Sequence, residues 1–241
     1  MESASPPRLS TGGLPHPHST APVHARGGRS FPARSIVPRA TCSIRPVIPA
    51  DDDLRGAAPD VVAAHDALVR DRPMDLRRAL RRRAGTDSAG RIVPQLDAIA
   101  AVIADLVRSM PDRTLRQPGG EGDWNVAQAV GHVAVSRSGV ALAASMAATG
   151  RFPADAPPVV PGIPGPADAS RDDVLRRLEA SRRLVARAAR SIAGHESDPC
   201  PLEHPFVGRL RCGEWLLFSG VHDLMHVEQL RAIAARFPDP S

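Results

Sequence analysis

Apolar residues at steps of three and four, repeated in four long segments, most restrict how this 241-residue chain can fold. In the first segment they occupy positions 96, 99, 100, 103, 106, 107 and 110, which is the spacing of one face of an amphipathic α-helix. No segment shows a convincing alternation of apolar and polar residues, the pattern of a half-buried β-strand. The sequence therefore predicts an all-α protein.

The four predicted helices have recognisable ends. Asn125 is a good N-cap, with Gln128 where a capping box places it, and Ser170 caps the third helix in the same way. Six prolines between 153 and 166 exclude a helix there and predict a long connection. The helices are expected over 91–111, 125–149, 170–194 and 213–236. This is a four-helix bundle with a long Pro-rich crossover between helices 2 and 3.

The segment before the bundle has a different composition. Residues 1–73 hold 11 of the 25 prolines and show no apolar periodicity, so they are predicted to be a disordered Pro/Ser/Arg-rich extension, with a short helix as the one candidate element over 60–70. The start of the chain is also open to reassignment, with Met74 as the alternative. Residues 74–90 are predicted to form a short basic helix and linker, and residues 91–241 the bundle domain.

The charge of the chain is uneven. It contains no Lys and no Tyr, which excludes a Schiff-base lysine, a P-loop lysine and a tyrosine acid. The net charge of +5 and pI near 10.6 suggest a nucleic acid or an anionic membrane as partner. Residues 91–241, however, carry equal numbers of Arg and acidic residues. The excess charge therefore precedes the bundle, and neither nucleic acid nor membrane is expected as a partner.

The cysteines and the N-terminal sequence predict the cellular compartment. Three cysteines are too few for a disulfide scaffold, no apolar run approaches a spanning helix, and no secretory signal is evident, so a cytoplasmic location is expected. The acid-free, Arg- and Ser-containing segment 3–50 also resembles a transit peptide. A disordered or upstream-translated segment is favoured, because the Arg-only, Ala-rich composition is typical of a GC-rich bacterial genome.

Three histidines are the candidate metal-binding residues. His222 and His226 lie four residues apart on the fourth predicted helix, so both imidazoles can reach one point beside it. Two core histidines need either hydrogen-bond partners or a metal. His132, in the middle of the second helix, would complete a set of three nitrogens if it faces the pair. Three neutral imidazoles suit Zn²⁺ or Ni²⁺ and leave coordination positions open for water or substrate.

Other polar residues lie near the three histidines in the predicted helices. Ser136 lies one turn after His132 and Gln229 three residues after His226, so both are candidates to line the open side or to support the ligands. Asp223 and Glu228 are expected to point away from the metal. A rival set of Cys200, His204 and Cys212 matches no common zinc module, and these are interpreted as loop residues.

Two sequence segments resemble those of a known protein family. The sequences GDWNVAQAVGHV at 122–133 and GEWLLFSGVHDLMH at 213–226 are similar to the second and last helices of the DinB-like metal-binding four-helix bundles, and HPFVG at 204–208 is similar to the lead-in of one large subgroup. The resemblance covers about 91–236. Asn125 and Gln128 stand where the family often has Ser or Thr and Glu, and both can still cap the helix.

The resemblance implies a three-histidine divalent-metal site at His132, His222 and His226. It also implies a thiol-dependent S-transferase or isomerase that uses mycothiol or bacillithiol, with a metal-bound thiol or water as the reacting group. The composition typical of a GC-rich genome favours mycothiol. The partners would then be a small-molecule thiol and an electrophile, with a homodimer as a further expectation. The alternatives are a non-catalytic metal-binding stress-response protein and a metal-dependent hydrolase.

Overall fold

The computed structural model describes residues 52–68, 73–118, 124–156 and 162–237. Within these ranges the chain forms seven α-helices, a short 3-10 helix at Asp112–Arg116 and a two-stranded sheet. The elements are α1 (Asp52–Ala57), α2 (Pro59–Leu68), α3 (Pro73–Arg83), α4 (Ala89–Ser109), α5 (Val126–Ala148), α6 (Arg171–Ile192), β1 (Pro199–His204), β2 (Gly208–Arg211) and α7 (Cys212–Arg236).

Helices α4 to α7 form a four-helix bundle. Each of α4 and α5 packs against both α6 and α7, and most of the largest fully buried side chains come from these helices, among them Leu96, Ile99, Leu178 and Trp215. The predicted all-α class and bundle are confirmed, and all four helices begin and end within two residues of the positions expected. None of the helices in the described ranges is long and apolar enough to cross a membrane.

The predicted helix caps are present. The Asn125 side chain accepts a hydrogen bond from the Gln128 backbone N–H at 2.9 Å, and the Gln128 side chain accepts one from the Asn125 N–H at 3.1 Å. Ser170 Oγ accepts from the Asp173 N–H at 3.1 Å. These reciprocal bonds satisfy backbone donors that a helix leaves without partners at its N-terminus.

Within the segment predicted to be disordered, the short helix predicted over 60–70 is present as α2 (Pro59–Leu68), and the disorder prediction is wrong for α1 (Asp52–Ala57). Helix α2 packs against α3 and α7, and Val61 and Val62 are buried. Its N-terminus is capped from α4, because the Gln95 side chain accepts the Asp60 backbone N–H at 2.8 Å. The sequence did not show this packing, because the burial of α2 comes from contacts with α3 and with the bundle helices α4 and α7. Residues 1–51 and 69–72 lie outside the described ranges.

A β-hairpin occupies part of the stretch expected to be irregular, 195–212. Strands β1 and β2 pair antiparallel, with Glu203 opposite Arg209. Cys200 and Leu202 of β1 point into the core while their neighbours are exposed or half-buried. Gly208 opens β2 with a φ of 68°, a conformation that glycine adopts without strain. Strands of six and four residues are too short for alternation to be recognised in the sequence.

Candidate metal centre

The three predicted histidines come together between α5 and α7. One ring nitrogen from each of His132, His222 and His226 lies within 4.8 Å of the other two. Nε2 of His132 is 3.2 Å from Nε2 of His222, and the ring centroids of His222 and His226 are 4.6 Å apart. His132 and His226 are buried, and the His222 side chain is 22% exposed. The cluster therefore has one partly open side.

The protonation of His132 follows from its partner. Its Nδ1 lies 2.8 Å from the backbone carbonyl oxygen of Ile163. A carbonyl oxygen only accepts, so Nδ1 carries the proton in the neutral ring and Nε2 keeps a lone pair. That lone pair faces the other two histidines. Fixing the tautomer through the distal nitrogen is the usual arrangement for a histidine that binds a metal.

A glycine contact brings Ile163 to this position. An ideal Cβ on Gly131 would lie 2.6 Å from Cα of Gly165, so the crossover lies directly on the backbone of α5. The Gly165 N–H also donates to the Gln128 carbonyl at 2.9 Å. Only a residue without a side chain permits this approach, and it occurs one residue before His132.

His226 is fixed from its own helix. Its Nδ1 lies 2.7 Å from Oε1 of Gln229, so Nδ1 donates and Nε2 is again left with a lone pair toward the cluster. Burial, followed by the neighbouring His222, lowers the pKa of His226 to about 3. The ring is therefore neutral at ordinary pH. Gln229, predicted to line the site or support a ligand, is placed as the partner of one histidine.

A buried ion pair lies beside His222. Nε of Arg137 on α5 is 3.2 Å from Oδ2 of Asp223 on α7, and both side chains are fully buried. Oδ1 of Asp223 lies 3.8 Å from Nδ1 of His222, too far for a hydrogen bond. Asp223, predicted to point away from the metal, is not among the clustered groups, and its carboxylate lies behind one histidine. Arg137 was overlooked, although it is the only charged residue in α5.

Three further residues border the cluster. The Trp124 ring lies against His132 with centroids 4.9 Å apart, and Ser136 Oγ is 3.3 Å from Nε2 of His132. His204 packs its ring against Phe218 at 4.9 Å, one turn of α7 before His222. The His204 Nδ1 accepts the Phe206 backbone N–H at 3.1 Å, so its proton is on Nε2. Burial, then His222, lowers the pKa of His204 to about 4.

The rival set of Cys200, His204 and Cys212 forms no comparable cluster within the described ranges. Both cysteines are buried free thiols, and burial raises the pKa of Cys200 and raises that of Cys212 to about 12. They are therefore protonated and unreactive. In the described part of the chain, no fourth His, Cys, Asp or Glu joins the three histidines.

The donor set fits a divalent ion. Two neutral imidazoles with defined tautomers aim lone pairs at one region, and a third lies beside them. Three nitrogen ligands without a fourth protein ligand leave coordination positions for an added molecule. A cavity of about 370 Å³ lies elsewhere, lined by Asp112, Leu115, Arg116 and 170–172, and none of the histidines contributes to it.

Fold and cluster together define a four-helix-bundle protein with a candidate three-histidine metal centre between two of its helices. The family model of the DinB superfamily matches residues 95–230, more than half of the chain, and the chain belongs to that superfamily. The matched region contains all three histidines and the connection between them. No curated protein and no solved structure matches the chain significantly.

Proposed function

We propose that this protein holds a divalent metal ion, Zn²⁺ or Ni²⁺, through His132, His222 and His226, and uses it in thiol-dependent transfer or isomerisation. One observation carries the proposal: the three ring nitrogens lie within 4.8 Å of one another. Membership of the DinB superfamily supports it. Borderline ions of this kind are well matched to imidazole nitrogen.

When bound, such an ion lowers the pKa of a coordinated thiol and presents it as the thiolate. In a transfer, the sulfur lone pair forms the bond to the electrophilic carbon, and the bond to the leaving group breaks with its electron pair. The thiol proton passes to solvent or to the leaving group. We propose mycothiol as the thiol, on the basis of the composition of the chain.

The protein supplies orientation and polarity to this reaction. His132 and His226 are held by Ile163 and Gln229, so neither ring needs to turn when a ligand arrives. We assign His204 as a hydrogen-bond donor to the bound ligand, since its neutral ring carries the proton on Nε2 and lies one turn from His222. Ser136, against the His132 ring, is assigned to the wall of the site.

The metal is tested by elemental analysis of the purified full-length chain and of two variants. His222→Ala removes one proposed ligand. His195→Ala is the matched control, because His195 is half-exposed and paired with Asp198 at 2.8 Å. We expect one divalent ion per chain in the unmodified protein and the control, and a large loss in His222→Ala. An unmodified protein with no bound metal would disprove the site.

The thiol is tested by turnover of an electrophile such as a halodinitrobenzene by the metal-loaded chain. The assay is run with mycothiol, with a second thiol and without thiol. We expect mycothiol to give the highest rate. Equal rates with mycothiol, with the second thiol and without thiol, each corrected for the uncatalysed reaction, would exclude thiol transfer and indicate hydrolysis instead.

A non-catalytic metal-binding protein is the second candidate. It is favoured by one observation, namely that two of the three histidines are buried. Spectroscopy of the Co²⁺-loaded chain separates the candidates, because an exogenous thiol that reaches the metal produces a thiolate-to-cobalt charge-transfer band. Absence of that band with every thiol would favour a non-catalytic metal-binding protein.

A further inference from the structure

Exposed large hydrophobic side chains are concentrated around the three histidines. In the described ranges there are six such residues: Met74, Val135, Leu142, Ile163, Phe206 and Met225, each between 40% and 57% exposed. Four of them neighbour His132, His222 or His204 in the sequence or through a backbone hydrogen bond. Exposed apolar side chains that group at one site are typical of a surface that contacts another molecule.

Each of the four has a defined connection to the cluster. Ile163 provides the carbonyl that holds His132, and Val135 lies one turn after His132 on α5. In the sequence of α7, Met225 lies between His222 and His226. Phe206 donates its backbone N–H to His204. We call these four residues the apolar rim. They come from α5, α7, the crossover and the hairpin, the segments that carry or contact His132, His222 and His204.

The charged side chains packed directly behind the histidines are directed at other residues. Asp223 is fully buried and paired with Arg137 behind His222. Glu228 is directed at His65, with Oε1 3.8 Å from its Nε2. The polar groups at the histidines themselves, Ser136 and Gln229, are neutral. A ligand carboxylate at the rim would therefore lose water without gaining an ionic partner from these residues.

We propose that the open side of the three-histidine site receives a neutral ligand with an apolar body in preference to an anionic one, and that Phe206 and Met225 contact this body. The proposal deepens the proposed function and rests on it, because the ligand is anchored at the metal. It assigns the electrophile to the class of uncharged molecules with an alkyl or aryl portion.

Hydroxamates test this without depending on thiol chemistry. The Co²⁺-loaded full-length chain is titrated with acetohydroxamate, hexanohydroxamate and the length-matched 5-carboxypentanohydroxamate, and binding is followed in the visible Co²⁺ spectrum. Each methylene that is fully buried on the rim strengthens binding about threefold to fourfold. We expect hexanohydroxamate to bind at least about tenfold more tightly than acetohydroxamate, allowing for partial burial, and the carboxylated compound to lose that gain.

Variants locate the effect. Met225→Ser and Phe206→Ser should each weaken hexanohydroxamate several-fold and leave acetohydroxamate unchanged. Leu142→Ser is the matched control, since Leu142 is 48% exposed on the same bundle but about 15 Å along α5 from His132. It should change neither affinity.

The possible failures are distinguishable. A chain that binds no Co²⁺ refutes the proposed function and this inference together. A Co²⁺-loaded chain that binds all three hydroxamates equally refutes the inference alone. A rim covered by a second copy of the chain would also overturn it: sedimentation would then show a dimer that Met225→Ser dissociates, and hydroxamate affinity would not depend on chain length.

Discussion

The glycine contact between α5 and the crossover gives the sharpest test of how the site is held. In Gly131→Ala the new Cβ would lie 2.6 Å from Cα of Gly165, whereas carbon atoms in ordinary contact are 3.5–4.0 Å apart, so the crossover must move by about 1 Å. A shift of that size lengthens the 2.8 Å bond from His132 to Ile163 to about 3.8 Å, which is no longer a hydrogen bond. The bond from Gly165 to Gln128 is disturbed in the same way.

These effects can be summed roughly. Overpacking costs about 1–3 kcal/mol, the two weakened hydrogen bonds about 1 kcal/mol each, and alanine in a helix returns about 0.5–1 kcal/mol relative to glycine. We expect Gly131→Ala to lower the free energy of unfolding by about 2–4 kcal/mol. Loss of the bond that orients His132 should weaken metal binding about 10-fold to 100-fold.

Gly139→Ala is the matched control. Gly139 lies on the same helix, is exposed, and has no atom within 4 Å of its ideal Cβ, so the substitution should stabilise the fold by about 0.5–1 kcal/mol. Urea unfolding of the metal-free chain measures stability, and competition with a chromophoric chelator measures metal affinity. If Gly131→Ala unfolds at the same urea concentration as Gly139→Ala, the close contact with the crossover does not exist as described.

Three further predictions concern the parts of the fold that support the site. Asp223→Asn leaves the Arg137 charge buried without a carboxylate and should cost about 3–5 kcal/mol in urea unfolding, whereas replacing both residues by Met and Leu should cost far less; equal costs would contradict this. Burial lowers the pKa of His65 below 6.5 against the opposing charge of Asp66, so the folded state resists protonation. The stability gained from neutral His65 is complete above pH 6.5 and is lost as pH falls below that value. The stability of the unmodified chain should therefore decline relative to that of His65→Leu from pH 6.5 to 5. Parallel pH profiles for the two proteins would refute this prediction. A chain beginning at Met74 lacks α2 with Val61 and Val62 and should be less stable than one beginning at Asp52 by at least about 3 kcal/mol, as measured by thermal and urea unfolding.

The bundle helices were predictable because each carries its own signal. The period of the apolar residues, the Asn125 and Ser170 caps and the prolines of the crossover are all local, and each is found where the sequence places it. For α2 the sequence predicted a short helix but not its packing, since its N-terminal cap is Gln95, 35 residues away. A cap supplied by another helix cannot be recognised before the packing is known.

The histidines were likewise found from spacing, but not the groups that orient them. The partner of His132 is a backbone carbonyl on the crossover, and a carbonyl has no identity in the sequence. His204 was interpreted as a loop residue because no pattern shows that a hairpin folds over Phe218. The lone Arg137 in an otherwise uncharged helix was a usable signal, because a buried arginine requires an acidic partner.

The three histidines differ in how firmly the protein holds them, and this has a consequence for metal binding. His132 and His226 have hydrogen-bonded partners at 2.8 and 2.7 Å, so their rings are oriented before any ion arrives. Nδ1 of His222, the nitrogen away from the cluster, faces the Asp223 carboxylate at 3.8 Å, and His222 is the most exposed of the three. Arg137 and Asp223 meanwhile join α5 to α7 directly behind it, which fixes the distance between the helices independently of a metal. His222 is therefore the ligand expected to adjust, and a small rotation that closes the gap to Asp223 would give it the orienting partner that the other two already have.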